Sequence, residues 1–167
     1  MLKITLMAAG LMLTMIGSVQ AQEAFDPGVP APKVAGDYYD GAEKTVFHVS
    51  ETRDEKGYLG ILGNVNNYVK ALQATGKKTD AVIVMNGDGL GMLQMAKEIE
   101  LEAEAKLPGR ITAMKESGVK FLVCYNTLVG RKIAFEDLYD AHEGDIIPSG
   151  VAEVGRLQAM GYRLLKP

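Results

Sequence analysis

Ala81-Val82-Ile83-Val84-Met85, followed by Asn86-Gly87-Asp88-Gly89, is the stretch that decides the fold. Five successive apolar positions leave no polar side for solvent. A strand of this kind is covered on both faces, as the strands of parallel sheets are. The Asn-Gly-Asp-Gly run then breaks it.

Upstream lies a second short run, Thr45-Val46-Phe47-His48-Val49, bounded by a polar loop from Ser50 to Lys56. A helix follows, with Tyr58, Ile61, Leu62, Val65, Tyr68, Val69 and Leu72 on one stripe and a stop at Gly76. Downstream, Met92, Met95, Ala96, Ile99 and Ala103 repeat at helical spacing, and Pro108-Gly109 is expected to end or kink that helix. A short helix over 111–117 leads to a third strand, Val119 to Cys124. Asn126-Thr127 opens more helix, expected to reach about Tyr139. Asp145-Ile146-Ile147 reads as a minimal fourth strand and Pro148-Ser149-Gly150 as a turn. A helix over 151–160 turns Val151, Val154, Leu157 and Gln158 inward, and Tyr162 to Leu165 forms a fifth strand.

Strands alternating with helices at this rhythm mean βαβ units and an α/β fold of about five mostly parallel strands between helix layers. Ligands in such folds bind beyond the carboxyl ends of the strands. The loops there are 50–57, 86–91 and 124–127.

The chain starts with Met1-Leu2-Lys3, an apolar run from Ile4 to Ile16, and Gly17-Ser18-Val19-Gln20-Ala21. A short positive end, an apolar middle too short to span a bilayer comfortably and a small-residue exit form the signal-peptide pattern. Residues 1–21 are therefore expected to be removed after Ala21, placing the protein in the periplasm. No Cys stands at the cleavage point, which argues against a lipoprotein. Residues 22–42, with Pro27, Pro30 and Pro32 among several glycines, read as an irregular arm, and 43–167 as one domain. No other stretch is apolar enough to cross a membrane, so no membrane association is expected after cleavage. The formal net charge of −3 becomes one unit more negative once Lys3 is removed, and no nucleic-acid partner is expected.

Cys124 is the sole cysteine. Exported proteins use cysteines in pairs, and one alone cannot staple its own chain. It is a buried inert residue, an intermolecular bridge or a reactive thiol. Its place favours reactivity: it ends the third strand just before a helix, with Asn126 or Thr127 expected as N-cap. There free backbone N–H groups and the helix dipole stabilise a thiolate.

Gly118-Val119-Lys120-Phe121-Leu122-Val123-Cys124-Tyr125-Asn126-Thr127-Leu128 resembles the cysteine segment of the DsrE/DsrF-like family. Ile147-Pro148-Ser149-Gly150-Val151-Ala152-Glu153-Val154, with Leu157-Gln158 and Gly161-Tyr162, is similar to that family's C-terminal pattern. Asn64-Val65-Asn66-Asn67 and the strand ending at Asn86-Gly87 fit as well, so the resemblance spans about residues 44–167. It implies a flavodoxin-like three-layer α/β/α domain that assembles into dimers, trimers or hexamers. It also implies a sulfur carrier, since cytoplasmic relatives hold a persulfide on the matching cysteine and pass sulfur between proteins. The export signal sets this chain apart from their tRNA-thiolation and dissimilatory-sulfite partners, and leaves its own sulfur donor and acceptor unnamed.

The resulting expectation is a periplasmic sulfur-handling protein with Cys124 as the sulfur-accepting thiol. Tyr125, Asn126 and Thr127 belong to its loop, and Asn86, Gly87 and Asp88 are expected to line the pocket. The rival is a non-catalytic small-molecule-binding or oligomerisation module in which Cys124 merely packs. A homo-oligomer is expected, because 47% of residues are hydrophobic in an exported chain without disulfides, and nine methionines provide adaptable buried surface. No cofactor is expected. Glu51, Asp54 and Glu55 oppose a phosphate in the first loop, which argues against a flavin, and Asn86-Gly87-Asp88-Gly89 is no dinucleotide fingerprint. No metal is expected from His48, His142 and Cys124 at scattered positions. His48 reads as a hydrogen-bonded structural histidine, and Glu98, Glu100, Glu102 and Glu104 as a solvated helix face.

Overall fold

Described in the computed structural model are residue 37 and residues 39–167. The expected signal peptide and nearly all of the arm lie outside the described residues. The domain runs β1 (Lys44–Val49), α1 (Glu55–Gln73), β2 (Asp80–Met85), α2 (Gly91–Glu98), α3 (Leu107–Glu116), β3 (Lys120–Cys124), α4 (Tyr125–Arg131), β4 (Ile146–Ile147), α5 (Gly150–Ala159) and β5 (Arg163–Leu165). All five strands pair in parallel, in the order β4-β3-β2-β1-β5.

That order decides which side each helix covers. The chain steps from β1 to β4 in one direction, so right-handed crossovers keep the intervening helices on one face. To reach β5 it must return past β3, β2 and β1, and α5 makes that return over the other face, touching all three strands. Strand alternation sorts the core accordingly. Phe47, Ile83, Met85, Phe121 and Val123 pack under Tyr58, Leu62, Met92, Leu93 and Ile111. Val46, Val82 and Val84 pack under Val154, Leu157 and Tyr162. The result is a flavodoxin-like three-layer α/β/α fold whose second helix layer is α5.

Local chemistry fixes the element ends. Asp54 caps α1 by accepting the Gly57 N–H at 2.8 Å. Glu55 reaches across to accept from the Lys106 and Leu107 N–H groups at 3.0 and 3.1 Å, capping α3 from another element. Pro108 stands in the first turn of α3, where its missing N–H costs nothing. The proline thus starts a helix instead of ending the one before, and α2 has already stopped at Glu98. At the opposite end of the sheet from the loops, Tyr162 donates its hydroxyl to Asp80, which also accepts from Lys120 at 2.9 Å. Burial, and then the bond to Asp80, push the Tyr162 phenol up to about 12.

Three other expectations are corrected. The helix opened after β3 does not reach Tyr139. It ends at Arg131, because Lys132 turns left-handed at φ 55° and a separate 3-10 turn follows at Phe135–Asp137. Val151 and Gln158 do not face inward on α5, and Val151 is 64% exposed. The N-cap of α4 is Cys124 itself, since β3 runs into α4 with no residue between them.

Candidate functional site

β3 is followed by a helix on one face and β4 by a helix on the other. The crevice between these neighbouring strands, at their carboxyl ends, is therefore the topological switch point of the sheet. Cys124 ends β3 there, paired with Ile147 of β4. Alternation from Phe121 and Val123, which face α1–α3, turns the Cys124 side chain to the α5 side.

Hydrogen bonding from the Thr127 hydroxyl and from the backbone N–H groups of Gly150, Thr127 and Asn126 favours the ionised form of this sulfur. Three of these groups lie at the start of α4 and one at the start of α5. Burial is the largest single influence on this thiol and pushes it up. The four donors together outweigh it and hold the thiol below its ordinary value. Cys124 is only 4% exposed. Its thiolate is favoured by hydrogen bonds and not by solvent.

Thr127 does two things at once. Its oxygen accepts the Gly87 N–H at 3.0 Å, which leaves the hydroxyl proton to favour the thiolate. Gly87 sits at φ 55°, a left-handed turn that lets the β2 loop bring this N–H to α4. Gly150 closes the site from the α5 side. A Cβ there would stand 2.8 Å from the Asn86 Cβ and 3.3 Å from the Cys124 Cβ, so only glycine brings its N–H this near the sulfur.

Of the expected site residues, Cys124, Asn86, Gly87, Asn126 and Thr127 come together, Asn126 through its backbone. Asp88 turns away and forms an exposed ion pair with Arg131 at the end of α4. Tyr125 is 54% exposed on the outer surface of α4. Sequence reasoning missed Gly150, whose signal was its place directly after Pro148-Ser149 and before a helix, with Ser149 as N-cap. It also missed the link of His48 to the site. His48 Nε2 lies 2.7 Å from Asn86 Oδ1, a contact that depends on the β1–β2 register. Beyond His48, a cleft is lined by Glu51, Arg53 and Lys166, with Glu51 ion-paired to both cations. Among the described residues no group of three or more His, Cys, Asp or Glu is placed to hold a metal. No helix among them is long and apolar enough to cross a membrane.

The DsrE/DsrF-like family model matches residues 46–167. Among solved structures, the chain is similar to a protein of unknown function, MTH1491, from Methanobacterium thermoautotrophicum. The two share 27% identity at a TM-score of 0.57, over 74% of this chain and 97% of that one. Comparison with curated proteins gives no match.

Proposed function

The chain belongs to the DsrE/DsrF-like family, and from that premise we propose that it is an exported sulfur carrier that takes up sulfane sulfur on Cys124 as a persulfide. Family membership supports a sulfur-relay-type role at the level of the family. The observation that carries the finer reading is the place of Cys124 at the switch point of the sheet, against Gly150 at the start of α5, with its thiol held below the ordinary value. The thiolate is the form of cysteine that attacks other sulfur atoms, and a lowered thiol gives more of it. Such a protein works by transfer and not by turnover. Its donor is a persulfide or polysulfide, and its acceptor a second thiol outside the cytoplasm.

The 4% exposure of Cys124 favours the rival reading, a binding or assembly module with a packing cysteine. One experiment separates the two. Protein purified from the periplasm and treated with polysulfide is expected to gain the mass of one sulfur on the peptide containing Cys124, and Cys124→Ser to gain none. A wild-type protein that never gains that mass makes Cys124 a packing residue. N-terminal sequencing of the same material is expected to begin at Gln22, and a chain beginning at Met1 would return the protein to the cytoplasm.

A further inference from the structure

We propose that Asn86, held by His48, is the donor that grips the outer sulfur of a Cys124 persulfide. The inference rests on the reading of Cys124 as the sulfur-accepting thiol and adds two residues that reading does not use. The parallel register pairs His48 with Val84, which lies two residues before Asn86 on the α5 side of the sheet. His48 and Asn86 therefore share the face onto which Cys124 points. The Asn86 Oδ1 that lies 2.7 Å from His48 Nε2 has no proton, so the ring nitrogen carries it and donates. The carboxamide has then only its Nδ2 group to offer, a pair of donors.

Asn86 and Cys124 meet over Gly150. The missing glycine Cβ would have stood 2.8 Å from Asn86 Cβ, 3.4 Å from Asn86 Cγ and 3.3 Å from Cys124 Cβ. Nothing on Gly150 separates the two side chains. The groups that favour the Cys124 thiolate lie on Thr127, Asn126 and Gly150, which leaves the Asn86 carboxamide for a further sulfur. A second sulfur bonded to Sγ extends the side chain by about 2 Å. An atom added on the side that Gly150 leaves open would meet Asn86.

The step balances without an oxidant. The Cys124 thiolate attacks the terminal sulfur of a polysulfide dianion. An S–S bond forms at Sγ as the donor's own S–S bond breaks, and its electron pair leaves with the polysulfide dianion, one sulfur shorter. The persulfide left on Cys124 carries one negative charge on its outer sulfur, and hydrogen bonds to a charged acceptor are the strong ones.

The test loads the full mature protein with sodium tetrasulfide, removes the excess and follows the lifetime of the added sulfur by intact mass. Asn86→Asp keeps the size of the side chain and an acceptor for His48 but replaces the donor with a carboxylate. It is expected to lose the sulfur about tenfold faster or more, the scale of one hydrogen bond to a charged group. His48→Leu frees the carboxamide to turn and is expected to shorten the lifetime as well, while His48→Gln, which again offers an N–H, recovers most of it. Iodoacetamide labelling of unloaded Cys124 stays close to the wild-type rate in His48→Leu, which separates the grip on the outer sulfur from damage to the thiol. Lifetimes in Asn86→Asp and His48→Leu equal to wild type would overturn the inference alone, as would a His48→Gln protein that decays like His48→Leu. A wild-type protein that accepts no sulfur overturns the underlying reading together with it.

Discussion

Cys124 is nearly enclosed, yet its thiol lies below the ordinary value, because hydrogen bonding outweighs the loss of water around the sulfur. The sign of the effect is fixed by its lowered value. Reactivity is lost as pH falls through that lowered value, so the midpoint of iodoacetamide labelling against pH is expected below that of a free cysteine. Labelling that begins only in denaturant would mark a packing residue instead. Gly150→Ala tests the donor from α5. Its Cβ must push Asn86, Cys124 or the start of α5 aside, at a cost of about 1–3 kcal/mol in stability. The same shift draws the Gly150 N–H off the sulfur, so the labelling midpoint is expected to rise while Cys124 becomes easier to reach. A mutant whose midpoint stays at the wild-type value would remove Gly150 from the site.

The elements differ in how strongly neighbours hold them. β5 is short, but Tyr162 just before it is tied to β2 through Asp80. The folded state keeps the Tyr162 proton to about pH 12, whereas a free tyrosine loses its proton near pH 10. The folded state thus binds the proton more tightly, and the bond's contribution is complete below about pH 10 and lost as pH rises toward 12. Tyr162→Phe is expected to flatten the fall in stability over that window, read by urea unfolding at a series of alkaline pH values. β2 was legible because its apolar run admits no other reading, and β1, β3 and α1 nearly so. The ends of α4 were not. Asn126 and Thr127 have the chemistry of N-caps, yet β3 runs directly into α4, so both lie inside the helix and the cap falls on Cys124. Its far end falls at Lys132, a left-handed position with no glycine to announce it. Cys124 as the heart of the site could be read from its place after β3. The partnership of His48 with Asn86 could not, because it exists only once β1 and β2 are in register.

At the scale of the molecule, the described surface exposes Leu101 and Phe135 and, apart from them, two sets of apolar side chains. Tyr125, Val129 and Val151 lie on α4 and the start of α5, and Met160, Leu164 and Leu165 at the end of α5 and on β5. They support the expected homo-oligomer. Light scattering after size exclusion is expected to give a multiple of the chain mass at micromolar concentration, under reducing conditions as well. A single species at or below 18.0 kDa would sink the expectation. The strand order also sets a timetable. β1 through β4 can zip in succession, each beside the strand made just before it, by local crossovers that form early. β5 pairs with β1, joining Thr45 to Arg163, so β1 waits with one edge bare until almost the whole domain has been made. Contacts of such long range form late, and an uncovered edge is a template for wrong pairing with a neighbouring chain. The interval before β5 docks is therefore when newly made chains are most prone to aggregate, and slowing that last closure lengthens the exposure even where the finished fold is unchanged.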